Sequence, residues 1–305
     1  MASEPGRLEI IDLQHLGKPD SIAVFTLGTK SGLLLVDPGP SSTLPRLFTE
    51  LEARGHGAGD VTALLLTHIH LDHSGAAGTL TRKNPKLRVY VHARGSTHLA
   101  DPTKLINSAT RLYGDRMDTL WGEIAPVPGR QITVLEGGET LSLGGREIEV
   151  AYTPGHAWHH VSYFDRESGT GFVGDTGGLR SRRLPVLPVT PPPDFDLEAW
   201  LTSIDRILEW SPKQLALTHF GMFSDPDQHL HDLRTGLVEW TGFARVAVTL
   251  AGSEEDRFRH FSDRLRGWIQ PRVEASLVEA YLASAGPLAC WQGLARYLKT
   301  VTSDQ

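Results

Sequence analysis

Residues 64–75 read LLLTHIHLDHSG, so three histidines and an aspartate fall within six positions, directly after an apolar run that a folded chain would bury. Bringing imidazoles and a carboxylate together at the edge of a core strips them of water and sets them competing for protons, which destabilises the fold unless a ligand compensates. A bound cation supplies that compensation. The feature therefore calls for a fold in which a buried strand, 61–67, delivers polar side chains to a pocket just past its end.

An extended backbone sends residues 68, 70 and 72 to one face, so His68 and His70 can converge on one ion. The following HSGAAG reads as a turn into a short helix, which swings Asp72 and His73 away together. The spacing suits two adjacent ions better than one. Three later residues share the setting: His156 in EVAYTPGH, Asp175 in GFVGD and His219 in LALTH each follow an apolar strand, with glycine nearby to let the backbone turn tightly. Imidazole and carboxylate donors without thiolates favour zinc, iron or manganese.

Short apolar runs between turn signals predict strands at 21–28, 32–39, 61–67 and 87–92, and a second set from 131 onward: ITVLE, ETLSLGG, REIEVAYTPG, HVSYFD, GTGFVGD and QLALTHFG. Leu44, Leu47, Phe48 and Leu51 mark the apolar face of a helix over 42–54. These patterns give a mixed α/β chain in two β-rich halves with helices covering the sheets. Residues 101–130, carrying Tyr113 and Trp121, read as an inserted helical segment, either a packed surface insertion or a lid. The proline-rich 184–194 reads as stiff extended chain leading to Asp194 or Asp196 as a helix cap. From 227 the strand signal ends. Leu230, Leu233, Leu237 and Trp240, then Phe258, Phe261, Leu265 and Trp268, predict amphipathic helices with aromatic core stripes, and further helices fall at 272–285 and 288–299.

Taken together, T67-H-I-H-L-D-H73, TPGH156, GD175 and LTH219 in this order resemble the metallo-β-lactamase superfamily, and in particular its hydroxyacylglutathione hydrolase (glyoxalase II)-like branch. The resemblance runs from VDPG at 36–39 through His219. It implies an αββα sandwich over residues 1–226, with the helical insertion at about 101–130 and a C-terminal helical extension over 227–305. It further implies His68, His70 and His156 on a first metal, Asp72, His73 and His219 on a second, and Asp175 bridging them. The two divalent ions would be zinc first, with iron or manganese as alternatives. Asp37 would orient a ligand histidine, although an Asp-Pro turn is an equal reading, and His160 would be a neighbour of the ligands rather than one of them. True β-lactamases of this fold carry cysteine or serine in the region of Asp175, so penicillin hydrolysis is not expected.

The expected chemistry is attack of a metal-bridging hydroxide on an ester, thioester or lactone carbonyl, with Asp72 as the catalytic proton acceptor. A mononuclear iron persulfide dioxygenase-like oxidoreductase is the first alternative and a phosphodiesterase the second. Tyr113, Trp121 and Arg180 are candidates for the substrate pocket; Arg180, Arg182 and Arg183 otherwise read as a solvated basic loop. His92, His98 and His159 are candidates to line the cleft, whereas His15, His56, His229, His231 and His260 read as surface or packing residues.

Composition narrows the partners. A formal charge of −6 gives no general attraction for phosphate backbones, and no apolar stretch reaches membrane-span length. A small-molecule substrate is expected, without nucleic acid or membrane, and a homodimer is compatible with the sequence. The single Cys290 excludes an internal disulfide framework and a multi-cysteine metal site, and with a beginning, MASEPGRLEI, that lacks secretory signal character it predicts a cytoplasmic protein.

Overall fold

A computed structural model describes residues 6–181 and 184–303. The first sheet takes its strands in chain order: β1 (Leu8–Asp12), β2 (Ala23–Thr29), β3 (Gly32–Val36), β4 (Val61–Leu65), β5 (Arg88–His92) and β6 (Ile132–Leu135). The pairs from β3 to β6 are parallel, and those from β1 to β3 antiparallel. The second sheet runs β12 (Gly221–Phe223), β11 (Gln214–Leu217), β10 (Thr170–Phe172), β9 (Val161–Asp165), β8 (Arg146–Tyr152) and β7 (Thr140–Leu143), with β10 and β11 as its parallel pair.

The near-continuous apolar runs of the central strands are explained by burial on both faces. Phe25, Leu34, Val36 and Leu65 point inward against Ile148, Val150, Tyr163 and Phe172 of the other sheet. Their sequence neighbours Val24, Leu33, Leu35 and Leu64 point outward under α1 (Leu44–Ala53) and its residues Leu44, Leu47 and Leu51. Helices α2 (Leu71–Ser74), α3 (Ala77–Lys83) and α4 (Ala93–Ala100) complete that layer around β5. On the far side, α7 (Leu197–Leu208) lays Trp200, Ile204 and Ile207 on Leu215 and Leu217 of β11. The result is an αββα sandwich.

The insertion folds as α5 (Thr103–Tyr113) and α6 (Met117–Trp121), followed by chain without regular structure to about residue 128. It is anchored rather than loose: Ala109, Leu120 and Trp121 are buried against Leu71, the residue before Asp72, and the Trp121 indole stacks on His15 at 5.7 Å between ring centroids. The C-terminal helices α8 (Pro226–Thr249), α9 (Glu254–Ile269), α10 (Val278–Ala285) and α11 (Pro287–Ser303) share one apolar core with α7 and the second sheet, built on Trp240, Phe261, Leu265 and Trp291. Among the described residues no helix is long and apolar enough to cross a membrane.

Two expectations need correction. The strand at 132–135 belongs to the first sheet, beside β5, because α4 to α6 form a crossover that returns the chain parallel to β5 rather than carrying it across to the second sheet. Strands β1 and β12 escape the sequence pattern, since LEIID and GMF are too short and too mixed to stand out from turns. Of the two proposed caps for α7, Asp196 takes the role, its carboxylate accepting from the Ala199 N–H at 2.8 Å. Asp194 is left for other contacts.

Candidate metal centre

Seven side chains from five segments converge at one end of the sandwich. His68 and His70 follow β4, Asp72 and His73 sit on α2, His156 follows β8, Asp175 follows β10 and His219 follows β11. Each lies past the C-terminal end of a strand or in the turn that continues it, where the backbone leaves the sheet. Their donor atoms form two groups, His68, His70, His156 and Asp175 on one side, and Asp72, His73 and His219 on the other, with the atoms of each group within 4.8 Å of one another.

Local sequence explains the convergence. Gly174 holds φ at +45°, and a Cβ there would come within 2.5 Å of Thr67 Oγ1 and 2.7 Å of His160 Nε2, so only glycine lets the chain place Asp175 against β4. Gly155, before His156, lies against the Trp200 backbone, where a Cβ would approach to 2.6 Å of nitrogen. The Trp200 indole N–H then donates to the Thr176 carbonyl at 2.8 Å, tying α7 to the turn that carries Asp175.

Hydrogen bonds set the ring orientations. His156 Nδ1 donates to the Val189 carbonyl at 2.7 Å, His219 Nδ1 to the Ser21 carbonyl at 2.9 Å, and His73 Nδ1 to Asp37 Oδ2 at 2.8 Å. In each ring this turns Nε2 toward the centre as a lone-pair donor, the arrangement that second-layer partners impose on metal-binding imidazoles. His156 Nε2 lies 3.0 Å from His70 Nδ1, while the buried His68 Nε2, His73 Nε2 and Asp175 Oδ1 have no hydrogen-bond partner. With every ring neutral, buried acceptors would face one another with no positive charge between them, a charge that a cation would supply. The donor set fits divalent cations with nitrogen and oxygen preference.

The Asp175 carboxylate faces both groups. Its Oδ2 lies 3.4 Å from His156 Nε2, and its Oδ1 lies 3.2 Å from His73 Nε2 and 3.6 Å from His219 Nε2. Asp72 Oδ2 lies 3.2 Å from His219 Nε2 and 3.8 Å from His73 Nε2. Burial pushes His68, His70 and His156 below the usual imidazole range, His156 to about 4, with neighbouring histidines adding to the depression. In His73 and His219 burial is outweighed by Asp175 and Asp72, joined at His73 by Asp37, and both rings are raised. The two carboxylates are held low against their own burial, chiefly by the charge of His73. Without a cation, the acids favour protons on His73 and His219 as the compensating positive charge.

Asp37 adopts both proposed roles, a turn residue at φ +50° and a carboxylate that orients a candidate ligand. His160 shares a hydrogen bond with Thr153 Oγ1 at 3.0 Å and stacks on His68 at 5.0 Å, which braces that ring without joining either group. Tyr113 lies edge-on to Trp121 at 5.2 Å, and Asp72 adds to the rise of its phenol behind burial, so α5 flanks the second group.

Arg180 is placed elsewhere. Its guanidinium makes a two-pronged ion pair with Asp225 at 2.8 and 2.9 Å and covers the Phe223 ring at 4.4 Å, which commits its charge to the start of α8 and speaks against a role in holding substrate. Arg182 and Arg183 lie outside the described residues. His229, expected at the surface or in packing, packs: it is buried on α8 beside Arg180 and donates to the Gly177 carbonyl at 2.8 Å, a neighbourhood of the arginine that sequence reasoning did not foresee. Sequence reasoning also missed the carbonyls of Ser21 and Val189, for which no side-chain signal exists. Thr67 and Thr218, whose hydroxyls donate to Asp37 Oδ2 at 2.7 and 2.9 Å, were not singled out either, although they directly precede His68 and His219.

A family model described as the Metallo-beta-lactamase superfamily matches residues 17–219. The chain is 28% identical over 220 residues to the Metallo-beta-lactamase fold-containing protein ST1585 of Sulfurisphaera tokodaii, covering 70% of this chain and 79% of that protein. It is 27% identical over 249 residues to a hydroxyacylglutathione hydrolase of a Synechococcus strain, covering 79% and 82%. The crystal structure of the metallo-beta-lactamase family protein TTHA1429 from Thermus thermophilus superposes with a TM-score of 0.74 at 22% identity, covering 99% of this chain and 95% of that one.

Proposed function

The chain belongs to the metallo-β-lactamase superfamily, and from that premise we propose a dinuclear metal-dependent hydrolase acting on an ester, thioester or lactone. His68, His70 and His156 would hold one divalent cation, Asp72, His73 and His219 a second, and Asp175 would serve both. The observation that carries this reading is the division of the Asp175 carboxylate, one oxygen toward His156 and the other toward His73 and His219. Zinc is the first choice of metal on the donor set, with iron or manganese next.

Cations in this place would supply Lewis acidity to a carbonyl oxygen and lower the pKa of water toward neutrality. The protein's own part is positioning and proton handling. Asp72 is the candidate proton acceptor, because its side chain is 26% exposed against 4% for Asp175 and its Oδ2 is the oxygen turned toward His219, 3.2 Å from Nε2. Oδ1 is then available for the proton of an attacking water. α5 would flank the substrate beside the second group through Tyr113, which feels the charge of Asp72, with Trp121 packed beneath it on Leu71.

Likeness to a protein named hydroxyacylglutathione hydrolase favours the thioester among these substrates. The buried single cysteine suits a reducing compartment such as the cytoplasm. The deciding experiment offers the metal-loaded protein thioesters, lactones, a phosphodiester, a β-lactam and a persulfide. Acid release from a thioester or lactone supports the hydrolase; oxygen uptake with the persulfide, or cleavage of the phosphodiester alone, overturns it.

A further inference from the structure

The loop between β1 and β2, residues 13–22, touches both the insertion and the proposed metal centre. At its exit the Ala23 N–H donates to the Thr218 carbonyl at 2.9 Å, and the Ser21 carbonyl takes the hydrogen of His219 Nδ1 at 2.9 Å, so two consecutive residues of the candidate ligand segment are held by this chain. At its far end His15 Nε2 lies 2.7 Å from the Leu120 carbonyl of α6. A carbonyl only accepts, so Nε2 carries the hydrogen and donates it. The His15 ring also stacks on Trp121 at 5.7 Å, and the His15 backbone N–H donates to Ser21 Oγ at 2.9 Å. Contacts therefore run without a break from α6 through His15 and Ser21 to the ring of His219.

The backbone between these ends is held in a form it would not take unaided. Gln14, Leu16 and Asp20 have φ of +48°, +57° and +56°, left-handed conformations that a side chain disfavours. A turn with no other duty would carry glycine or asparagine there. Leu16 is 45% exposed, so burial of its side chain is not what holds it in place. Asp12 pins the loop instead, its two carboxylate oxygens accepting from the N–H groups of Gln14 and Asp20 at 2.9 and 3.0 Å. Strain of this kind persists where the surroundings over-determine it, and it collects at working sites.

We propose that His15 is a positioning residue for His219, and that the loop is a clasp through which the docking of the insertion sets the aim of that ring. The Ser21 carbonyl keeps His219 Nε2 turned toward Asp72 and Asp175 while the loop holds its strained form, and His15 is the side chain that ties that form to α6. This rests on the two-ion reading, in which His219 would serve the second cation with Asp72 and His73.

The test follows stepwise zinc binding to metal-free protein by chelator competition, which needs no turnover, with the unfolding midpoint measured alongside. His15→Ala is expected to weaken one of the two steps by about tenfold, as for other groups that orient a metal-binding imidazole, and to leave the other nearly unchanged. His15→Gln, which can return an N–H to the Leu120 carbonyl, should restore most of that affinity. Ser21→Ala removes the acceptor of the His15 N–H; it should weaken the same step and add little to His15→Ala, because both break one chain of contacts. A purely structural role would lower the unfolding midpoint without singling out a step. Both steps unchanged in His15→Ala, or both weakened alike, overturns the clasp and leaves His15 a packing residue. A wild type that takes up fewer than two ions brings down the two-ion reading itself, and the clasp with it.

Discussion

Asp37 Oδ2 accepts a hydrogen bond from His73 Nδ1 at 2.8 Å, with both side chains fully buried. The same carboxylate takes the Thr67 N–H and Oγ1–H at 2.8 and 2.7 Å and the Thr218 Oγ1–H at 2.9 Å. Thr67 and Thr218 immediately precede His68 and His219. One aspartate at the end of β3 therefore fixes three of the segments that build the centre.

Removing that hub should be costly although Asp37 is itself a member of neither donor group. Asp37→Ala leaves four buried donors without an acceptor, so metal affinity is expected to weaken by about 10–100-fold and stability to fall by about 3 kcal/mol. Chelator competition and denaturant unfolding check the two separately. Affinity within a factor of two of wild type would show that the ring orientations do not depend on it.

Metal uptake should release protons. His73 and His219 are raised by the carboxylates around them, which favours protonated rings from which a cation must displace the proton. A raised pKa means these rings stay protonated to a higher pH than an ordinary imidazole, so metal affinity should decline with decreasing pH from above ~6.5, the ordinary imidazole range. Titration of zinc into metal-free protein in weak buffer at neutral pH should register net proton release. Uptake without proton release would contradict the charge arrangement.

Arg180 should act from a distance. Its backbone N–H donates to the His219 carbonyl at 2.7 Å while its guanidinium is held by Asp225 of the α8 cap, so the C-terminal helix braces the candidate ligand segment. Arg180→Met is expected to cost about 1–2 kcal/mol, less than a fully buried pair because Asp225 is partly exposed. Arg180→Lys should recover only part of this, since an ammonium cannot repeat the two-pronged contact. Thermal or denaturant unfolding of the three proteins decides it.

The insertion should resist removal of its anchor poorly. Trp121→Ala empties a buried site between His15, Tyr113 and Leu71, with an expected loss of about 3 kcal/mol. If α5 and α6 shape the acyl pocket, KM should rise more than kcat falls; unchanged KM would make the segment a packed surface addition.

The centre was legible because chemistry forces unusual residues into a short window: HIHLDH after a buried strand has few other uses, and each later partner follows an apolar run ending in glycine or threonine. The sandwich was legible through strands apolar on both faces, such as LLLV and VTALL. What was not legible depends on tertiary pairing. Nothing in ITVL says which sheet it joins, because an inner and an edge strand of either sheet read alike. Arg180 looked like part of a basic loop because Asp225 and His229, 45 and 49 positions away, come to it only through the docking of α8.

The most direct test is the metal content of the purified protein, prepared without added metal and again after zinc loading, in wild type and in Asp175→Ala. The account predicts two tightly held ions per chain on loading and loss of both, or of their tight binding, when the shared carboxylate is removed. A wild type that holds no tight metal, or an Asp175→Ala protein that keeps two, would contradict it.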